Sequence, residues 1–230
     1  MHDQDLGGWT ILFDLDGTLV DSAPDLIGML NRLLVQEGLA PVPLASARHL
    51  VGHGARALLE HGFLEAGADW KTAARDDLFQ RFLADYLEHI ADHTRPFDGV
   101  VETLDRLAAR GARLVVATNK RTDLSLALVR ALALESRFAA VVGPDRVSAR
   151  KPSGAHLVEA CRLAGGDPAR AVMVGDSTTD TGAALDARIP CVAVSFGYND
   201  VPADALGGDI TIDHFGKLEA AVDRLIGCDA

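Results

Sequence analysis

The sequence predicts an α/β fold: a parallel sheet covered by helices on both faces, with an all-helical segment inserted after its first strand. Three observations predict it. Short apolar runs rich in β-formers recur along the chain, and from residue 100 onward helical patterns separate them. Each run is apolar without alternation, the mark of a strand buried on both faces, as strands of parallel sheets are. Residues 23–91, by contrast, carry helical periodicity and no strand pattern.

The first strand lies in Trp9-Thr10-Ile11-Leu12-Phe13-Asp14-Leu15-Asp16-Gly17-Thr18-Leu19-Val20. The apolar run stops on two carboxylates, which is costly for a buried strand unless a cation meets them. Side chains alternate along a strand, so Asp14 and Asp16 project to one side. Gly17 lets the chain turn sharply away. The stretch reads as a site for a hard divalent cation and one further anionic group.

The inserted segment comes next. Leu26, Met29, Leu30, Leu33 and Leu34 predict a helix ending near Gly38, and Pro41 and Pro43 break the pattern. A short segment over 44–50 leads to Val51-Gly52-His53-Gly54 and a helix around Ala57, Leu58, Leu59 and Phe63. Phe79, Phe82, Leu83, Tyr86, Leu87 and Ile90 then form one apolar stripe at helical spacing. Pro96-Phe97-Asp98-Gly99 marks the return to the main body.

From there the pattern alternates. Helices are predicted over 100–110, 124–134, 157–163, 182–187 and 218–226, and strands over 113–118, 138–142, 171–175, 191–194 and 210–212. Right-handed crossovers fix the topology class of such a sheet. The expected division is a core of 1–20 and 95–230 and a helical unit of 21–94. Leu128, Leu132 and Leu134 are expected in the core.

Composition narrows the partners. At 230 residues with a formal net charge of −11, the chain lacks the basic face that nucleic acid or an anionic membrane requires. An anionic small molecule stays open, since a metal and a few local cations invert the field inside a pocket. The three cysteines (Cys161, Cys191, Cys228) match neither a disulfide framework nor a metal cluster, and read as buried thiols in a reducing compartment. The acidic residues 1–5 and the lack of an apolar segment before Trp9 lead to no signal peptide being expected, and no run of about 18 apolar residues is present. A cytoplasmic monomer or homodimer is expected. His49, His61, His89, His93 and His156 lack metal-ligand spacing and read as surface or packing residues.

Ligands of such sheets sit beyond the carboxyl ends of the strands. The first strand ends in Asp14 and Asp16, the next in Thr118-Asn119-Lys120, and a later one in Gly175-Asp176-Ser177-Thr178-Thr179-Asp180; Lys151-Pro152 precedes an intervening helix. Singly, Thr118-Asn119 and Asp176-Ser177 read as helix caps and Lys151 as a solvated cation. Together, at one edge, they read as a site.

Asp14-Leu15-Asp16-Gly17-Thr18, Thr118-Asn119, Lys151-Pro152 and Gly175-Asp176-Ser177-Thr178-Thr179-Asp180 resemble the four motifs of the haloacid dehalogenase superfamily of phosphatases. The resemblance covers essentially the whole chain and implies a Rossmann-like core with a helical cap. Within the superfamily, Val51-Gly52-His53-Gly54, Thr118-Asn119-Lys120 and Phe196-Gly197-Tyr198-Asn199 resemble the phosphoglycolate phosphatases. Arg121 and Ser153-Gly154 depart from that pattern, where prolines are common.

The resemblance implies Mg²⁺-dependent hydrolysis of a small phosphorylated metabolite, foremost 2-phosphoglycolate. Asp14 is the expected nucleophile and Asp16 the expected general acid and then base. A carboxylate and a phosphate repel by about 4 kcal/mol per charge pair at 4 Å and an effective dielectric of 20, which the cation offsets. Asp14, the backbone carbonyl of Asp16, and Asp176 are expected to hold it, with Asp180 and Ser177 supporting them. Thr118, Asn119 and Lys151 are expected on the phosphoryl oxygens. Gly52, His53, Gly54 and Arg56 are expected to meet the rest of the substrate, Arg56 by pairing with a carboxylate.

Dehalogenation does not fit, because halide departure needs no acid at Asp16. A phosphosugar phosphatase or a phosphomutase of the same superfamily is the alternative. A non-catalytic binding module is the alternative of another class, opposed by the presence of every residue type that turnover needs.

Overall fold

The structure is a computed structural model describing residues 5–48, 51, 54–68, 75–199 and 201–227. Strand β1 (Thr10–Phe13) lies between β4 (Arg113–Ala117) and β6 (Ala171–Gly175), and the sheet extends outward to β5 (Ala140–Val142) on one side and to β7 (Cys191–Val194) and β8 (Ile210–Ile212) on the other. All pairings in this six-stranded sheet are parallel. Phe13 is in register with Val116 and with Val174, so the carboxyl ends of the three central strands are level. The expected parallel α/β sheet is therefore the observed one.

Two-residue alternation sorts the core. Ile11 and Phe13 share one apolar cluster with Leu104 and Leu107 of α5 (Val100–Ala109) and Val222 and Ile226 of α9 (Leu218–Gly227). Leu12 faces the other way, clustered with Leu157 and Ala160 of α7 (Gly154–Leu163) and Ala183 of α8 (Thr178–Ala187). Both faces are thus sealed, and the strand ends are the edge left for a site. Leu128 and Leu134 are buried as expected, and Leu132 packs at the margin. Cys161 and Cys191 are buried and free, whereas Cys228 lies outside the described residues.

The insertion is helical: α1 (Ala23–Gln36), α2 (Leu44–Ala47), α3 (Ala55–Glu65) and α4 (Arg75–Glu88). Its two connections pair as a short antiparallel ribbon, β2 (Val20–Asp21) against β3 (Arg95–Pro96). Two-residue strands leave no periodic trace, so pattern reading passed over them. A buried carboxylate, Asp25 of α1, ties the return connection down: it accepts from the Thr94 N–H at 2.8 Å and the Thr94 hydroxyl at 2.7 Å. The predicted stripe of α4 is largely the buried face: Phe82, Leu83, Tyr86 and Ile90 are buried and Phe79 packs against the core, whereas Leu87 is exposed and Leu78 joins the buried side. Periodicity gives the width of a face, and the packing partners decide its edges.

Helix starts also differ. α6 (Thr122–Ala131) and α8 begin before the predicted 124 and 182, and α7 before 157. Two of them are capped by side chains, α7 where the Ser153 hydroxyl accepts from Ala155 N–H and α8 where Ser177 and Asp180 form a capping box. No helix among the described residues is long and apolar enough to cross a membrane.

His156 of α7 is fully buried, its Nε2 is 3.4 Å from the Val142 carbonyl, and its Nδ1 has no partner. Burial, aided by the Lys151 ammonium, pushes its pKa down from 6.5 to about 4. A depressed histidine contributes stability that is full above the unfolded-state pKa and is lost as pH falls toward the folded one. Between pH 7 and pH 5 the loss is about 2 kcal/mol, at about 1.36 kcal/mol per unit. Urea unfolding at both pH values should therefore show the His156→Leu protein losing roughly 2 kcal/mol less than wild type; equal losses would exclude this origin.

Candidate active site

Asp14 continues the β1 ladder, donating its N–H to the Val174 carbonyl at 2.9 Å, so its side chain is fixed by the sheet. The loop before α7 delivers Lys151, whose Nζ donates to Asp14 Oδ1 at 2.8 Å and Asp180 Oδ1 at 2.7 Å. Lys151 is 2% exposed, so it is no solvated surface cation. Asp176 follows β6 and accepts from the Thr18 hydroxyl at 2.9 Å and the Tyr198 N–H at 2.7 Å. Asp180 turns its other oxygen back to the N–H groups of Asp176 and Ser177 and to the Ser177 hydroxyl. Asp180 thereby holds both Lys151 and the start of α8.

Close approach requires glycine here. Gly17 has φ +91°, and a methyl group on it would sit 2.3 Å from Asp176 Oδ2. One on Gly197 would meet the Gly17 carbonyl at 2.3 Å.

Asp14, Asp176 and Asp180 are all buried, and each offers an oxygen within 4.8 Å of the others. Against these three carboxylates stands one ammonium, Lys151. Two negative charges remain unmatched, the complement of a divalent cation. The electrostatics say the same. Burial pushes the Asp14 carboxyl up to about 6 in spite of Lys151, and burial reinforced by Asp180 and Asp14 drives Asp176 well above the carboxylate range. Burial works against the charge of Lys151, yet Asp14 and Asp180 outweigh it and raise its pKa above the ordinary lysine value. An all-oxygen, acid-rich set suits a hard cation. The residues present therefore fit a divalent metal.

Thr118 is buried at the end of β4 and its hydroxyl accepts from the Lys120 N–H at 3.1 Å. Asn119 donates its Nδ2 to the Lys151 carbonyl at 3.1 Å, tying two loops together, and its Oδ1 is buried without a partner among the described residues. Asp16 stands apart from the metal-type cluster. Its Oδ1 accepts from the Ser22 hydroxyl at 2.5 Å, and Lys120 Nζ reaches Oδ1 at 3.1 Å and Oδ2 at 3.2 Å.

Between sheet edge and insertion lies a cavity of about 190 Å³, with Asp14, Asp16, Thr118 and Asn119 on one wall and Leu26, Phe79 and Phe82 on the other. Gly54 and Arg56 line it as well. Arg56 pairs with Asp76 at 3.2 Å, and its guanidinium lies 4.1 Å from the centre of the Phe79 ring. Gly52 and His53 fall outside the described residues.

Sequence reading assigned no role to Thr18, Ser22, Tyr86, Lys120 or Tyr198. Lys120 and Tyr198 lay inside quoted motifs, which was a usable signal, whereas Tyr86 showed only as a member of an apolar stripe. His89 sits beside Asp85 and Glu88 with ligand atoms within 4.8 Å. That group is partly solvated, and His89 is paired with Asp92 at 2.8 Å.

Buried carboxylates around a buried lysine, fit for a divalent metal and set at the carboxyl edge of a parallel sheet, mark a hydrolase. The chain belongs to the haloacid dehalogenase-like hydrolase family, whose model matches residues 11–194. It is 51% identical over 227 residues to the phosphoglycolate phosphatase of Caulobacter vibrioides, covering 98% of this chain and 96% of that one. It is 36% identical over 222 residues to the N-acetylmuramic acid 6-phosphate phosphatase of Pseudomonas aeruginosa, covering 95% and 96%. A crystal structure of a predicted phosphoglycolate phosphatase from Haemophilus somnus 129PT superposes with a TM-score of 0.86 at 29% identity, covering 94% of this chain and 98% of that one.

Gly17→Ala should cost about 1–2 kcal/mol of stability from its positive φ and displace Asp176. Calorimetric titration with Mg²⁺ or Mn²⁺ should show at least roughly tenfold weaker binding, since each tenfold is about 1.4 kcal/mol; wild-type affinity would remove Asp176 from the metal set.

Proposed function

We propose that this phosphatase hydrolyses a small phosphate monoester, 2-phosphoglycolate foremost, through a phosphoryl group held on Asp14. The observation that carries the reading is the convergence on Asp14: a buried lysine at 2.8 Å on one side and the oxygens of Asp176 and Asp180 within 4.8 Å on the other. The substrate rests on the relative at 51% identity, named a phosphoglycolate phosphatase.

Asp14 attacks phosphorus; the Asp14 O–P bond forms as the ester P–O bond breaks, and Asp16 gives its proton to the departing oxygen. Water then attacks phosphorus, Asp16 takes its proton, and the Asp14 O–P bond breaks to release phosphate. Lys151 stays charged between Asp14 and Asp180 and meets the negative charge spread over the phosphoryl oxygens, together with the Thr118 hydroxyl. Asn119 acts by fixing the loop that carries Lys151. Asp14, Asp176 and the backbone carbonyl of Asp16 would hold a Mg²⁺ ion, which would offset the repulsion between nucleophile and phosphate and polarise the phosphoryl oxygens.

The chemistry belongs to the unit of residues 1–20 and 95–230, and the helical unit of 21–94 covers it, excluding bulk water during transfer. Gly52, His53, Gly54 and Arg56 of that unit meet the substrate beyond the phosphate. Arg56 is stacked on Phe79 at the cavity wall, where a carboxylate can displace Asp76 from it. A phosphosugar phosphatase is the second reading, favoured by the relative at 36% identity that is named for a sugar 6-phosphate.

Asp14→Asn should abolish turnover of 2-phosphoglycolate with the fold intact by circular dichroism, and EDTA should silence the wild type until Mg²⁺ is restored. Residual steady-state activity of Asp14→Asn would refute the nucleophile. Arg56→Ala should raise KM for 2-phosphoglycolate about tenfold or more, the scale of a lost charge-assisted pair, and leave kcat within a few-fold; an unchanged KM would remove Arg56 from the site.

A further inference from the structure

Lys120 stands two residues beyond Thr118, and the reaction above gives it no part. Its side chain is nonetheless 8% exposed, as closed off as Asp16 beside it. The ammonium donates to both oxygens of Asp16, at 3.1 and 3.2 Å, and to the Tyr86 hydroxyl at 2.7 Å. It also lies 4.5 Å from the centre of the Tyr86 ring. Tyr86 belongs to α4 of the insertion, is 1% exposed, and stacks on Phe82 with ring centres 6.3 Å apart. One buried cation thus joins the acid of the sheet edge to the helical unit above it.

The charges are distributed unequally. Lys151 is shared between two carboxylates, Asp14 and Asp180. Among the described residues Lys120 has one carboxylate, Asp16, and its other partner is a phenol that burial pushes up to about 12, which keeps it neutral. The whole charge of Lys120 is therefore directed at Asp16, while Tyr86 fixes where the ammonium stands.

That arrangement has a chemical use. When Asp16 passes its proton to a leaving oxygen, a carboxylate charge develops on it, and a preorganised ammonium beside both oxygens stabilises that charge without rearrangement. Oδ1 also receives the Ser22 hydroxyl at 2.5 Å, which leaves Oδ2 the less occupied oxygen.

We propose that Lys120 is a positioning residue for proton donation by Asp16, and that Tyr86 seats it, so that donation reaches full strength only while the helical unit rests on the sheet edge. The proposal rests on the phosphatase reading given above.

The test compares two esters of one shape, phenyl phosphate and 4-nitrophenyl phosphate. Nitrophenolate leaves with little help from an acid; phenolate needs it. The kcat/KM value covers steps through loss of the leaving group, so it isolates proton donation from the later attack of water. In Tyr86→Phe, which keeps the ring and its stacking, the ratio of kcat/KM for nitrophenyl over phenyl ester should rise about tenfold above wild type. That is a fraction of the roughly 10²–10⁴ a positioned acid supplies. Lys120→Met should move the ratio further in the same direction. Loss of activity in equal proportion on both esters in both variants would mean a merely structural role and would overturn the proposal, as would wild-type ratios. Wild-type protein inactive on both esters and on 2-phosphoglycolate would instead overturn the phosphatase reading, and the positioning role with it.

Discussion

Everything at the sheet edge is arranged around a charge imbalance. Asp14, Asp176 and Asp180 are buried within one another's reach, and only Lys151 lies among them. Mutual repulsion and lost hydration make such a cluster unfavourable unless each oxygen has a partner. The structure supplies those partners from separate parts of the chain: Thr18 from the turn after β1, the Tyr198 N–H from the loop after β7, and the Asp176 and Ser177 N–H groups at the start of α8. What these neutral donors leave over is charge, and a divalent cation removes it.

The two acids at the end of β1 are differentiated by their surroundings. Asp14 shares Lys151 with the metal-type cluster, which keeps its oxygens directed at a common centre. Asp16 faces away from that cluster toward Ser22 and Lys120. A spacing of two residues puts both on one side of the strand. It does not say which carboxylate will hold metal by its side chain, because that depends on cations contributed by distant segments.

The sheet was the most legible part of the molecule. Its strands are continuous apolar runs because both faces are covered, and β6, β7 and β8 begin and end where the runs do. Helix starts were less legible, since apolar periodicity begins only after a polar first turn such as Thr178-Thr179-Asp180. Of the site, Asp14, Asp16, Thr118, Lys151, Asp176 and Asp180 were readable because each stands at a strand end or in a motif. The amide of Asn119 also ties its loop to the Lys151 carbonyl, a contact between loops that no linear pattern encodes. Tyr86 was hidden for the same reason: a hydroxyl at the end of an apolar ring counts as core until the neighbour it meets is known.

The place of β1 in the sheet also bears on how the protein is made. It precedes every other strand among the described residues, yet both its neighbours, β4 and β6, follow the entire helical insertion. At about 5–20 residues per second of translation, the roughly hundred residues between β1 and β4 keep it waiting for about 5–20 s after it leaves the ribosome. During that interval the nascent chain displays an apolar segment ending in two acids with nothing to pair it. Early compaction of the four-helix segment, whose contacts are local, would shield the segment and shorten its exposure to chaperones and to other nascent chains.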